Sequence, residues 1–252
     1  MAMSAEISTD LRRVLRRLKL SPVLATLPER LVLARSRKLP HAEFLELVLS
    51  DEVERRDLAS ATRRARAAGL DPAMVLDAWD DEARVSYDRE LWAELATLRF
   101  MDDAHGVLVL GPVGVGKTHL ASALGHIAVR RRRSVVMSRA DHLLKRFKAA
   151  RLDGTYDAEM RRAIRVDLLI LDDFALRAMD PTETQDLYEL VVERHRRAST
   201  VATSNRDPVE WLGAMADPLL AQSAIDRLQS SAHELVIEGE SYRQRQKPRR
   251  AS

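Results

Sequence analysis

Ten residues, GPVGVGKTHL, run from Gly111 to Leu120 directly behind the apolar stretch GVLVL at 106–110. The spacing Gly111-x4-Gly116-Lys117-Thr118 leaves few folds open. Glycines lack Cβ, so the chain can bend tightly and turn successive backbone N–H groups onto one anion. A helix that starts at once adds its positive end to the same place. That chemistry needs a buried strand before the loop and a helix after it, and both are predicted here. The stretch Gly111, Pro112, Val113, Gly114, Val115, Gly116, Lys117, Thr118 and His119 is therefore a candidate phosphate cradle. Amides of 113–118 would surround the β-phosphate, Lys117 would reach the β- and γ-phosphates, and the Thr118 hydroxyl would ligate Mg²⁺.

Strand-sized apolar runs alternate with helical patterns on both sides of this loop. Strands are predicted at Val107–Leu110, Ser134–Met137, Val166–Leu171, Thr200–Thr203 and Glu234–Ile237. Helices are predicted around Leu91–Phe100, Thr118–Arg130, Ala140–Lys148, Thr182–Arg196 and Asp217–Leu228. Short β-branched and leucine runs between helices imply a parallel sheet buried on both faces, an α/β fold sandwiched by helices. The first seventy residues differ. Leu11, Val14, Leu15 and Leu18 recur at helical spacing behind Asp10, which is expected to cap the helix. Further helices are expected from Pro22 towards Arg37 and from His41 to Gly69. The expected organisation is a helical module at 1–69, a connector at 70–85, an α/β domain at 86–242 and a basic tail at 243–252.

Two further motifs complete the candidate site. The run Val166 to Asp173 is a buried strand that ends in two carboxylates, about fifty residues beyond the loop. Asp172 would hold the Mg²⁺ hydration shell, and Asp173 would orient or deprotonate an attacking water. In Val201-Ala202-Thr203-Ser204-Asn205-Arg206 the Asn205 amide follows another short strand, where it can hydrogen-bond both a γ-phosphate and that water. Arg227, in the late helical stretch Ala224 to Leu228, has no evident place in the same chain's site. Arginines donated by a neighbouring subunit complete many nucleotide-hydrolysing sites.

Composition narrows the setting. Of 252 residues 46% are hydrophobic and 31% charged, which suits a folded core, and there is no cysteine for disulfides or thiolate metal sites. No run approaches the roughly 20 apolar residues needed to span a bilayer, so a cytoplasmic protein without membrane contact is expected. The net charge is only +3, yet arginines cluster at 12–13, 16–17, 63–64, 130–133 and 194–197. Such clusters can neutralise DNA phosphates or simply form solvated helix faces. The histidines are scattered without ligand spacing. Trp211 reads as a packing anchor for the loop after Asn205 rather than as a base-stacking platform.

Taken together these motifs resemble one family, AAA+ ATPases of the IstB type, which help insertion sequences transpose and are kin to bacterial helicase loaders. The resemblance rests on LGPVGVGKTHLASALG (110–125), LLILDDF (168–174), TSNRDPVEW (203–211), IDRL (225–228) and GESYR (239–243), with EFLELVL (43–49) and ELATLRFM (94–101) upstream. It implies a P-loop NTPase fold with Lys117 and Thr118 in Walker A and Asp172 and Asp173 in Walker B. Asn205 falls at sensor 1, Arg227 at the arginine finger and Arg243 at a weak sensor 2 match, and the helical lid of larger AAA+ proteins is expected to be missing. Position 173 departs from the AAA+ majority, which carries Glu there, and the shorter Asp side chain suggests slow hydrolysis. It further implies ATP, Mg²⁺, largely sequence-tolerant DNA binding, an IstA-like transposase partner and ATP-dependent assembly of copies into a ring or spiral.

Three other functions share parts of this pattern. A replicative helicase loader would carry nearly the same ATPase motifs, and the leucine–arginine helices of the N-terminal module favour the transposition branch over it. A small-molecule P-loop kinase would need a second substrate pocket and a lid with phosphate-clamping arginines. A non-hydrolysing DNA scaffold would show no DNA-stimulated ATP turnover.

Overall fold

The computed structural model describes residues 7–80 and 84–242. The chain divides into two compact units, residues 1–62 and 63–252. Arg243 and the expected tail at 243–252 lie outside the described residues.

The first unit is helical: α1 (Thr9–Arg17), α2 (Val23–Arg37) and the larger part of α3 (His41–Ala67). The N-cap of α1 is Ser8, whose hydroxyl accepts from the Leu11 N–H at 3.2 Å; Asp10 lies inside the first turn. The expected Asp10 cap is thus corrected by two residues, because the Ser8 side chain reaches the orphan N–H while Asp10 pairs with Arg13 at 2.6 Å. Ile7, Val23, Leu27 and Val48 form a small core. Arg30 grips Asp51 through two bonds of 2.7 and 2.9 Å and ties α2 to α3. Buried Glu52 accepts from Arg55 and Arg56, and the Arg55 hydrogen bond, foremost, holds its carboxyl down at about 2.

The second unit is built on a five-stranded parallel sheet of order β3-β4-β5-β2-β6: β2 (Gly106–Leu110), β3 (Val135–Arg139), β4 (Leu168–Asp172), β5 (Ser199–Ser204) and β6 (Ala232–Val236). A separate antiparallel pair joins β1 (Val85–Ser86) to β7 (Glu238–Gly239). The helices are α4 (Arg89–Ala96), α5 (Arg99–Asp102), α6 (Lys117–Arg130), α7 (Ala140–Leu152), α8 (Tyr156–Arg165), α9 (Pro181–Arg194) and α10 (Pro218–Gln229). Every residue of β4 is buried, as a strand covered on both faces must be. On α6, Leu120, Ala121, Ala123, Leu124 and Ala128 are fully buried, and most of that helix's length is covered. Because the strands are parallel, the segments that follow β2, β4 and β5 emerge at the same sheet edge, where ligands of open α/β sheets bind.

The sequence predicts nothing over 153–165, and α8 fills that gap. Only Met160 and Ala163 of α8 are buried, so its apolar pattern is thin. Polar contacts hold it instead. The Tyr156 hydroxyl donates to Asp186 of α9 at 2.8 Å, and the Arg151 guanidinium of α7 lies 3.7 Å over the Tyr156 ring.

Arg194, at the end of α9, is 2% exposed. Its Nη1 donates to the carbonyls of Ala163, Ile164 and Val166 at 2.9 Å, its Nη2 to the Ser199 carbonyl, and its Nε to Thr200 Oγ1 at 3.0 Å. Burial draws the guanidinium down to about 10. One side chain therefore caps the end of α8 and fixes the entry of β5. Replacing Arg194 with methionine leaves those carbonyls without a donor and is expected to cost about 3 kcal/mol or more. For a unit of this size that lowers the melting temperature by about 10 °C. Thermal unfolding followed by circular dichroism measures it, and an unchanged midpoint would mean that these bonds contribute nothing net.

Candidate functional site

Residues 111–116 run from the end of β2 to the start of α6 as an open loop whose glycines take conformations closed to other residues. Gly111 has φ +142°, and a Cβ there would lie 2.1 Å from the Ile237 carbonyl oxygen. Gly116 has φ +100°, and a Cβ there would strike the Trp79 ring at 2.6 Å. Lys117 is 8% exposed, and its ammonium donates to the carbonyls of Gly111 at 2.9 Å and Pro112 at 2.7 Å. The lysine is curled onto its own loop, its charge held beside the turn.

The carboxylates arrive from the neighbouring strand ends. Asp172 closes β4 and is 7% exposed. Its Oδ1 accepts from Thr118 Oγ1 at 2.9 Å and from Thr203 Oγ1 at 2.6 Å. Thr203 Oγ1 in turn accepts the Asp173 N–H at 3.1 Å. This threonine of β5 thus joins both carboxylate residues, a role that no local sequence pattern signals. Asp173 itself sits at φ +52°, a backbone conformation rare for a residue with a side chain. Such strain gathers at functional positions. Its Oδ2 is 3.6 Å from Arg139 Nε, at the end of β3, which registers opposite Asp172.

These groups line a cavity of about 710 Å³, within the range of small-molecule sites. Val113, Gly114, Val115, Gly116, Lys117, Thr118, His119, Asp172, Asp173 and Asn205 all border it. So do residues that sequence reasoning missed: Arg139, and an apolar side made by Met74, Ala78, Trp79, Val85 and Tyr242. The Trp79 ring meets His119 edge-on at 5.3 Å and Tyr87 at 5.9 Å. The His119 Nε2–H donates to the Val75 carbonyl at 2.8 Å, a local bond of the expected kind. Gly111 and Pro112 contribute their carbonyls to Lys117 rather than lining the cavity. Ser241 packs on Gly114, and the Tyr242 N–H donates to the Gly114 carbonyl at 2.9 Å. Arg243, the next residue, lies outside the described chain. Arg227 does not border the cavity; it sits on α10 with its guanidinium on the Ser223 carbonyl and hydroxyl. Trp211 is fully buried, its Nε1–H donates to Ser204 Oγ at 3.1 Å, and it meets Phe174 edge-on at 4.7 Å, all features of a packing anchor.

The donor set suits a divalent cation with bound phosphate. Neighbouring ligands of an octahedral Mg²⁺ stand about 3 Å apart when each bond is about 2.1 Å. The Thr118 and Asp172 oxygens are 2.9 Å apart, both are hard donors, and the cavity beside them leaves room for water and phosphate oxygens.

A family model described as IstB-like ATP binding protein matches residues 13–250. The chain belongs to that family. A relative from Mycobacterium tuberculosis, named for ATP binding in an insertion sequence, is 37% identical over 243 residues, covering 96% of this chain and 97% of its own. A relative from Pseudomonas aeruginosa, named for ATP binding in insertion sequence IS21, is 32% identical over 238 residues, covering 94% and 90%. The crystal structure of the DnaC helicase loader matches 59% of this chain and 87% of its own at TM-score 0.53 with 18% identity. DnaA from Aquifex aeolicus bound to AMPPCP matches 66% and 50% at TM-score 0.54 with 23% identity. These likenesses fix the IstB-like chain's fold as the P-loop AAA+ sheet. Among the described residues no helix is long and apolar enough to cross a membrane.

Proposed function

We propose that this IstB-like protein is a Mg²⁺-dependent ATP hydrolase that assembles with other copies on DNA and regulates or recruits a transposase during insertion-sequence transposition. The observation that carries the reading is the hydrogen-bonded set Thr118, Asp172, Thr203 and Asp173 beside a glycine loop that holds a lysine on two carbonyls. The apolar side of the cavity, with Trp79, Met74 and Val85, takes the adenine, and residues 113–118 take the phosphates. Thr118 and Asp172 would hold Mg²⁺, which would supply positive charge to the phosphoryl oxygens. Lys117 turns from the Gly111 and Pro112 carbonyls to the phosphates. Asn205 hydrogen-bonds the terminal phosphate and the attacking water, and Asp173 orients that water and accepts its proton.

Asp173 is engaged by Arg139 at 3.6 Å and carries one methylene fewer than glutamate. Both features keep its carboxylate back from the water, which suits a slow switch. Asp173→Glu is therefore expected to raise ATP turnover severalfold with little change in nucleotide affinity. A coupled phosphate-release assay reads this, and unchanged or lower turnover would remove the explanation for slow hydrolysis.

The arginine pairs on α1 and the run at 130–133 are the proposed source of DNA affinity. Binding to duplex DNA is expected to be largely sequence-tolerant and to fall at least about tenfold between 50 and 200 mM salt, as counterion release requires. Fluorescence anisotropy at stepped salt concentrations measures it; a flat profile would rule out phosphate contacts as its basis. Recruitment of the IstA-like transposase is tested by mixing the purified proteins with DNA and ATP. A stable complex only in the presence of ATP supports the proposed order, and association with a replicative helicase instead would favour the loader function.

A further inference from the structure

Residues 68–80 follow α3 and contain one short 3₁₀ turn, Leu76–Ala78. They are nevertheless tied along α6, from the later part of that helix back to its start. Leu70 is buried, and its side chain packs so closely on Gly125 that a Cβ there would lie 2.6 Å from it. Glycine weakens a helix interior, and here it admits the leucine. At the next residue the His126 Nε2–H donates to the Asp71 carbonyl at 2.9 Å. Two turns earlier on the same face of α6, His119 makes the matching bond to the Val75 carbonyl. The segment then lays the Trp79 ring on Gly116, the last glycine of the phosphate loop. Met74, Ala78 and Trp79 border the nucleotide cavity, whereas Leu70, Asp71 and His126 do not.

We propose that residues 68–80 are a strap whose seat on α6 sets how well the site holds a nucleotide base, and that His126 is a positioning residue for it. The proposal rests on the ATP-site reading above and adds to it a residue that touches no part of the nucleotide. His126 stands ten residues beyond Gly116, about 15 Å along the helix, out of reach of the phosphates. Its bond acts through the strap alone. A segment with so little regular structure of its own is fixed mainly by such ties, and each one narrows the positions open to Met74, Ala78 and Trp79 before the base arrives. Both halves of the site are thus mounted on one helix. The phosphate loop leads into the start of α6, and the apolar wall is tied to its side.

The test compares ATP with inorganic tripolyphosphate, which offers a phosphate chain and no base, by titration calorimetry with Mg²⁺ on the full-length protein. His126→Ala should raise the dissociation constant for ATP about three- to tenfold, the net contribution of one hydrogen bond. Its affinity for tripolyphosphate should stay within about twofold of the wild type. In steady-state hydrolysis KM for ATP should rise by the same factor with kcat unchanged, because the bond orders the wall that meets the base and not the reacting phosphate. His126→Gln, whose amide N–H can serve the same carbonyl, should restore ATP affinity. An unchanged ATP affinity in His126→Ala, an equal loss for both ligands, or a glutamine variant as weak as the alanine one would each overturn the proposal. A wild type that binds neither ligand would remove the ATP-site reading, and the proposal with it.

Discussion

Lys117→Ala should raise the dissociation constant for ATP by at least about a hundredfold while leaving the fold intact. The ammonium is nearly buried and rests on the carbonyls of Gly111 and Pro112 at 2.9 and 2.7 Å. It is therefore held beside the loop whose amides are proposed to face the phosphates, and transfer to phosphate oxygens would replace two neutral acceptors with charged ones. Charge-assisted bonds of this kind contribute about 1.5–3 kcal/mol each, and two of them span the expected loss. The variant also leaves both carbonyls without their donor, so the loop loses part of its order. Lys117→Arg should fail as well, because a planar fork does not fit where a compact ammonium sits inside a turn. Titration calorimetry with ATP and Mg²⁺ measures the affinity, and circular dichroism checks the fold. Binding within about threefold of the wild type would mean that nucleotide is held elsewhere.

Arg227→Ala is expected to bind ATP as the wild type does and yet lose at least about a thousandfold in turnover, the scale on which supplied arginines act in phosphoryl transfer. The guanidinium lies on Ser223 of its own helix and takes no part in the cavity of its own chain. On the proposed assembly, no contact to nucleotide would be lost within one copy, whereas a neighbouring copy's site would lose the charge proposed to complete it. Turnover that survives the substitution would mean that one copy hydrolyses ATP unaided.

What could be read from the sequence was the part whose chemistry dictates residue type. A phosphate loop demands glycines, a lysine and a hydroxyl at fixed spacing between strand and helix, and GPVGVGKT meets that demand before any coordinates are known. The all-buried strand Leu168–Asp172 was legible because a parallel strand covered on both faces is a continuous apolar run. The sites that escaped are made by distance contacts with no local pattern. Trp79 sits in a segment that looks like a connector, and only the fold lays its ring on Gly116. Thr203 is an ordinary strand threonine until β5 aligns it with Asp172 and Asp173. Arg139 was hidden because the end of β3 has no apolar signal, yet its register with Asp172 brings it to Asp173. Helix α8 escaped because polar ties to Asp186 and Arg194 do what an apolar stripe does elsewhere. Arg194 itself read as one member of a basic cluster and proved to be buried.

The most direct measurement mixes two inactive variants, Asp172→Asn, which lacks the metal carboxylate, and Arg227→Ala, which lacks the donated arginine. Neither should hydrolyse ATP alone. If a second copy completes each site, an equimolar mixture with DNA and Mg²⁺ should regain about a quarter of wild-type turnover, since random assembly seats about that share of intact pockets beside an intact arginine. A mixture as inert as its components would contradict a site shared between copies.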